Sequence, residues 1–196
     1  SLRYKTSNET TLINKAKAIL LNVDSAQNNQ ELLGLEGNVS KIFFEVYFKN
    51  MSFKGRRPRC KDDIYNLLLD IGYFYLFNFI EANLELYGFD TYCGFYHKLF
   101  FQRKSLVCDL VEPFRCVIDK QLRKSYNLGQ IDETDFYVKN GQYYIKREFN
   151  KKYSELFLKE ILFNKEEIFL YIQKYYRCFM KEEKIKDYPV FTMESD

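Results

Sequence analysis

A mainly α protein is predicted, a single helical domain carrying one small β-hairpin near residues 136–145. Three observations lead there. Eight glycines and three prolines in 196 residues leave few breakpoints, which favours long helices over many short strands. Ile64, Leu68, Ile71, Tyr75, Phe79, Ala82 and Leu86 recur at intervals of three or four, the spacing of one buried helix face. A hydrophobic content of 46%, with 18% aromatic residues, suffices for a packed core. No repeat, linker or low-complexity segment divides residues 1–196. One domain is therefore expected, with residues 1–33 as a helical extension and loop.

Taken in order, residues 9–22 pattern as an amphipathic helix, which the polar run 24–30 interrupts. A second helix is expected from Gly34 or Leu35 to about Lys49. Glu36 would then lie in its first turn, where the helix dipole favours a carboxylate. Residues 51–61 contain Gly55 and Pro58 and read as a loop. Asp62 or Asp63 can cap the next helix, extending to about Leu86. Leu67, Phe74 and Phe77 widen its apolar stripe, so this helix should be central to the core. Asn66, Asn78 and Asn83 on it suit either local polar needs or an approach to DNA.

Gly88 and Gly94 bracket an irregular connection to His97. Ser105 reads as the cap of a long helix running to about Tyr126. Pro113 lies inside that helix, removing the amide that would bond the Asp109 carbonyl and disfavouring regular helix at Glu112. The resulting kink either aims Glu112 into a site or curves the helix around the core. Residues 136–139 and 142–145 flank Asn140-Gly141, which suits a type I′ hairpin turn. Residues 148–163 and 165–183 read as helices, with Phe157, Phe169 and Tyr176 packing inward, followed by a charged tail.

Thirty Lys plus Arg against 27 Asp plus Glu leave a formal charge of +3, too small to identify a nucleic-acid binder. Distribution says more. Lys54, Arg56, Arg57, Arg59 and Lys61 form one cluster, and Arg103 with Lys104 another. Each suits either a phosphate-binding face or a solvated loop. The five cysteines (Cys60, Cys93, Cys108, Cys116 and Cys178) include no CxxC pair. Cys108 and Cys116 should be small buried side chains, and the chain reads as intracellular and reduced. No apolar run approaches the roughly 20 residues of a membrane helix, and no secretory signal is recognisable after Ser1.

The chain has one histidine. His97 closes Gly94-Phe95-Tyr96-His97, and Glu112 follows fifteen positions later. Glu36 offers a second carboxylate far upstream. An imidazole with two carboxylates suits Mg²⁺ or Mn²⁺; zinc is disfavoured because neither HExxH nor clustered Cys/His spacing occurs. The residues alone equally allow a structural histidine, a Glu112–Arg115 pair at i,i+3 and a purely stabilising Glu36.

Four ordered motifs bring a resemblance. Gly34-Leu35-Glu36-Gly37 followed by Asn38 is similar to the GxEG segment of the CRISPR-associated adaptation integrases. Arg57-Pro58-Arg59, followed by Asp63, Asn66, Leu67, Leu68 and Tyr73, resembles their RP…D…NxL…Y segment. Gly94-Phe95-Tyr96-His97 and Ser105-Leu106-Val107-Cys108-Asp109-Leu110-Val111-Glu112-Pro113-Phe114-Arg115 resemble their GxxH and SLxxDLxEpfR motifs. The matches cover the catalytic helical domain, about residues 34–125.

The resemblance implies that Glu36, His97 and Glu112 are the catalytic metal ligands for Mg²⁺ or Mn²⁺, with Asp109 supporting them. It implies DNA contacts by Arg57, Arg59, Arg103, Lys104 and Arg115. The implied reaction is DNA integration and cleavage in spacer acquisition: the 3′-hydroxyl of a short double-stranded DNA fragment attacks a phosphodiester of the CRISPR repeat. A non-catalytic DNA-binding or assembly module on the same fold is the alternative. Family members carry a long β-rich domain ahead of the helical one, but only 33 residues precede Gly34 here. That domain is expected to be absent, leaving an excised catalytic domain or a compact integrase resembling type V forms. Assembly is then expected as a homo-oligomer, dimer or tetramer, with the usual small partner subunit in question. The implied location is the prokaryotic cytoplasm, at the nucleoid during function.

Overall fold

The computed structural model describes residues 7–192. Seven α-helices and one two-stranded hairpin make up the main elements described. Helices α1 (Ser7–Leu20) and α2 (Asn29–Tyr47) lie along one another, and α3 (Ile64–Leu86) runs through the centre. Around α3 pack α4 (Ser105–Val111), α5 (Arg115–Asn127), α6 (Asn150–Phe163) and α7 (Lys165–Met180), together with strand β2 (Gln142–Ile145). Strand β1 (Phe136–Lys139) pairs antiparallel with β2. The mainly α class with its small hairpin is thus as expected. At the hairpin turn Asn140 and Gly141 take φ of 52° and 74°, the type I′ signature. Among the described residues, no helix is long and apolar enough to cross a membrane.

Helix α3 is central as expected, but its innermost line is not the expected stripe: Leu69, Leu76, Ile80 and Leu84 are fully enclosed, whereas of the expected residues Ile64 and Leu68 are buried and Ile71, Tyr75 and Phe79 only partly so. Ala82 and Leu86 of that stripe, and Phe74 beside it, face outward. On α7 the inward face is Ile168, Ile172, Tyr175 and Cys178. Phe169 and Tyr176 instead meet Tyr87 on the outer side. The expected inward packing therefore holds for Phe157 but not for those two. Cys108 and Cys116 are half-buried rather than enclosed.

Two boundaries depart from expectation in ways that matter for the site. Helix α2 begins at Asn29, not at Gly34 or Leu35. The Asn28 side chain accepts from the amides of Gln30 and Glu31, each at 3.0 Å. Glu31 reaches back to the Gln27 amide at 2.9 Å. This reciprocal cap, a variant of the capping box, fixes the earlier start. Glu36 is consequently the eighth residue of α2, beyond the reach of the helix-end dipole, which fades within the first turn.

The long helix expected from Ser105 is divided. Residues Glu112–Phe114 form a single 3₁₀ turn between α4 and α5, where Pro113 denies the helix one amide donor. Ser105 is not the cap but the first helical residue, after Lys104. Its hydroxyl donates to the Lys98 carbonyl at 3.1 Å.

The loop ahead of α3 is held by three acidic or amide side chains on that helix's first turns. Asp63 caps α3 by accepting from the Asn66 amide at 2.7 Å. Asn66, fully buried, accepts from the Arg57 amide (2.8 Å) and donates to Gly55 O (2.9 Å) and Asp63 Oδ2 (2.8 Å). Asp70 accepts from the Arg56 guanidinium (2.7 Å) and the Arg59 amide (2.9 Å). Arg59 itself adopts φ of +66°, a conformation a non-glycine residue keeps only when its surroundings enforce it. Asn78 and Asn83 also bond back to their own helix, so each of the three asparagines has a local partner.

Asn66→Ala should strand the Gly55 carbonyl and the Arg57 amide. Urea denaturation is expected to show a loss of about 1–3 kcal/mol, with faster amide exchange over residues 54–60. Unchanged exchange in that loop would contradict this role.

Candidate active site

The site is assembled from α2, the loop ahead of α4, and the α4–α5 junction. Its centre is Asp109, whose side chain is fully buried. Its Oδ2 accepts from the amides of Phe95 (2.7 Å) and Tyr96 (3.0 Å). Its Oδ1 accepts from the His97 amide (2.9 Å) and lies 2.6 Å from His97 Nδ1. A carboxylate already gripping three amides acts as an acceptor, so Nδ1 carries the proton and donates. The opposite ring nitrogen, Nε2, is left with its lone pair directed away from Asp109. This is the orientation that a carboxylate partner gives a metal-binding histidine.

Gly94 makes the approach possible. A Cβ there would lie 2.6 Å from Asp109 Oδ2 and 2.8 Å from the backbone of Ser105. No side chain fits between the loop and the helix.

The two glutamates are held separately. Tyr96 Oη donates to Glu36 Oε2 at 2.8 Å. Loss of hydration, followed by that bond to Glu36, pushes the Tyr96 hydroxyl up to about 12. Glu112 receives Arg115 Nη1 on both oxygens, at 3.1 and 3.0 Å. The Arg115 guanidinium in turn lies 4.6 Å from the Tyr73 ring centre, a cation–π distance. Tyr73 donates to Asp119 at 2.5 Å, and burial pushes the Asp119 carboxyl up to about 6.

Glu36, Glu112, Arg115 and Asp119 line one open groove of about 390 Å³. His97 lines an adjoining groove of about 480 Å³ with Tyr96, Lys98 and Arg103. Tyr96 links the two through its bond to Glu36. Among the described residues, no three His, Cys, Asp or Glu side chains are gathered closely enough to share an ion. Glu36 and Glu112 are each turned to a donor of their own, Tyr96 and Arg115. The donor set of two carboxylates and one imidazole nonetheless suits a hard divalent ion.

The basic residues divide by environment. A third groove, about 730 Å³, is lined by Lys41, Lys54, Arg56, Arg57 and Arg115, among others, and Arg115 joins it to the groove of the glutamates. Arg57 pairs with Asp62 but remains half exposed, and Arg59 is exposed. Arg103 donates to the Lys98 carbonyl. Lys104 is paired with Glu81, and Arg115 with Glu112. The last two are therefore committed within the protein. Tyr96, Asp119 and Lys41 belong to the site without having been assigned a role from sequence, whereas Tyr73 closes the RP…D…NxL…Y segment. Tyr96 stands beside His97 in the motif, whereas nothing in the spacing points to Lys41 or Asp119.

Residues 2–159 match the family model described as CRISPR associated protein Cas1. The chain belongs to the Cas1 family. A CRISPR-associated endonuclease Cas1 of Thermodesulfovibrio yellowstonii is 33% identical over 132 residues, covering 64% of this chain and 42% of that protein. A second, from Francisella tularensis subsp. novicida, is 30% identical over 139 residues, 67% of this chain and 44% of its own length. The chain thus spans less than half the length of these Cas1 relatives. Among solved structures, a partial Cas6-RT-Cas1–Cas2 complex superposes with TM-score 0.83 at 22% identity, over 99% of this chain and 63% of that one. A casposase bound to integration product superposes at 0.77 and 21% identity, over 91% and 56%. At those identities the likeness establishes the Cas1 fold.

Gly94→Ala should force the loop off Asp109. The expected loss is about 1–3 kcal/mol, as for other overpacked sites, read by thermal unfolding. A stability equal to wild type would show that the loop does not need the close approach.

Proposed function

We propose that this chain is the catalytic helical domain of a DNA integrase and endonuclease acting in CRISPR spacer acquisition. The single observation that carries the reading is the Asp109–His97 pairing, which leaves Nε2 free in a groove adjoining the one that Glu36 and Glu112 line. Membership of the Cas1 family supports it, as does a basic groove continuous with the glutamates through Arg115.

Glu36, His97 and Glu112 would hold one Mg²⁺ or Mn²⁺. A divalent ion there would withdraw charge from a phosphate and polarise the attacking hydroxyl. The rest falls to the protein. Asp109 fixes the ring orientation and tautomer of His97. Arg115 balances the charge of Glu112 while Tyr73 keeps its guanidinium in place. Lys41, Lys54, Arg57 and Arg59 offer positive charge for phosphates along the neighbouring groove. The 3′-hydroxyl of a short double-stranded DNA fragment attacks a repeat phosphodiester, forming one P–O bond and breaking another. Bond types are conserved, so the exchange needs no external energy source. Water in place of the hydroxyl gives cleavage. Assembly as a dimer or tetramer, with or without a small partner subunit, would bring two such sites to one DNA fragment.

The test is strand transfer of a short duplex into a repeat-containing plasmid with Mg²⁺ or Mn²⁺. Wild type should form joined products, and His97→Ala or Glu112→Ala should lower them at least about 100-fold while far-UV circular dichroism stays unchanged. Equal product from these variants would overturn the ligand assignment. Wild-type DNA binding without joining would favour the non-catalytic module.

A further inference from the structure

Asp119 on α5 is a buried carboxylate that, among the described residues, forms no ion pair. It lines the groove of Glu36 and Glu112, and its hydrogen bond is the 2.5 Å one from the Tyr73 hydroxyl. The cations nearby are already matched. Arg56 lies 2.7 Å from Asp70, and Arg115 lies 3.0 Å from Glu112. Both guanidiniums also sit over the Tyr73 ring, 5.2 and 4.6 Å from its centre. Two cations and two carboxylates cancel there, so Asp119 remains as an extra negative charge.

That charge costs stability. Burial pushes the Asp119 carboxyl up to about 6, although Tyr73, Arg115 and Arg56 all act to lower it. An acid raised on folding stabilises the fold below its ordinary range, and that contribution is lost as pH rises through the folded value. Facing Asp119 are Tyr73 of α3, Tyr47 of α2, Arg56, and Glu112, Arg115 and Cys116 beside it. Burial raises both tyrosines and the thiol, so none of these three ionises in the acid range. An uncharged side chain at position 119 would avoid the cost.

The extra charge finds its match once a cation arrives. Both oxygens of Glu112 accept from Arg115, so a divalent ion takes Glu112 only by displacing the guanidinium. Arg115 then becomes a partly buried cation without its carboxylate and beside a dication, a costly state. Asp119, bonded to the tyrosine that carries Arg115, is the negative charge left to offset it.

We propose that Asp119 is a positioning residue for cation binding: acting through Tyr73 and Arg115, it supplies the negative charge that Arg115 loses when a divalent ion occupies Glu112. This rests on the reading of Glu36, His97 and Glu112 as the ligands, and it adds a residue outside that set which governs the affinity of the site.

The experiment titrates Mn²⁺ into the full chain without DNA and follows the electron paramagnetic resonance of the free ion. Asp119→Asn should weaken binding about tenfold. Adding Arg115→Gln to that variant should return the affinity to about the wild-type value, because the cation that needs balancing is gone. Without metal, Asp119→Asn should unfold at a temperature near that of wild type at about pH 4 and at a higher one above about pH 7. A purely structural acid predicts the reverse, a metal-free variant less stable than wild type at neutral pH. Wild-type Mn²⁺ affinity in Asp119→Asn, a loss that Arg115→Gln does not repair, or a destabilised metal-free variant would each overturn the proposal. If His97→Ala and Glu112→Ala still weaken binding in that case, the ligand reading stands alone. Mn²⁺ affinity unchanged in those two variants, or no binding by wild type, would overturn the ligand reading and this proposal together.

Discussion

One buried carboxylate organises the site. Asp109 takes three backbone amides and an imidazole nitrogen, so a loop with no regular structure of its own is tied to the first turns of α4. A buried charge is tolerated only when its lone pairs are satisfied, and here the loop supplies the donors. The dependence is mutual: the loop needs the acid for its shape, and the acid needs the loop for its burial. Gly94 permits the contact, and the 3₁₀ turn at Pro113 follows one helical turn later, where it turns Glu112 toward α2.

The outer layer is built from pairs rather than from a cluster. Tyr96 holds Glu36, and Arg115 holds Glu112, while Tyr73 carries Arg115 on its ring and Asp119 on its hydroxyl. Each acid is thus neutralised or solvated by one specific donor. Arg115 is left touching both the acidic groove and the basic one. The Asp63–Asn66–Asp70 series performs the corresponding task for residues 54–59, converting a glycine- and proline-containing loop into a fixed wall of the basic groove.

Much of the fold was legible because helical periodicity survives in a single sequence: α3, the hairpin turn and the break at Pro113 all follow from local rules. The start of α2 was not, although Asn28 and Glu31 stand at cap spacing. Two glycines in the next turns read more naturally as the beginning of a helix than as its interior. The inward face of α7 was misjudged where aromatics decorate both sides of one helix. At the site, the motif residues were visible, but their partners were not. That Asp109 would grip a loop, that Tyr96 would reach Glu36 sixty residues away, and that Lys104 would pair with Glu81 are facts of three-dimensional approach. No spacing within one segment encodes them.

Asp109 fixes His97 with its proton on Nδ1, leaving Nε2 bare. With a single histidine in the sequence, ¹⁵N spectroscopy of the imidazole in tag-free protein measures this directly at neutral to mildly alkaline pH. One dominant neutral tautomer is expected, protonated at Nδ1, with Nε2 resonances broadened selectively when Mn²⁺ is added. A neutral ring protonated at Nε2, or an Mn²⁺ titration that leaves both nitrogens untouched, would contradict it.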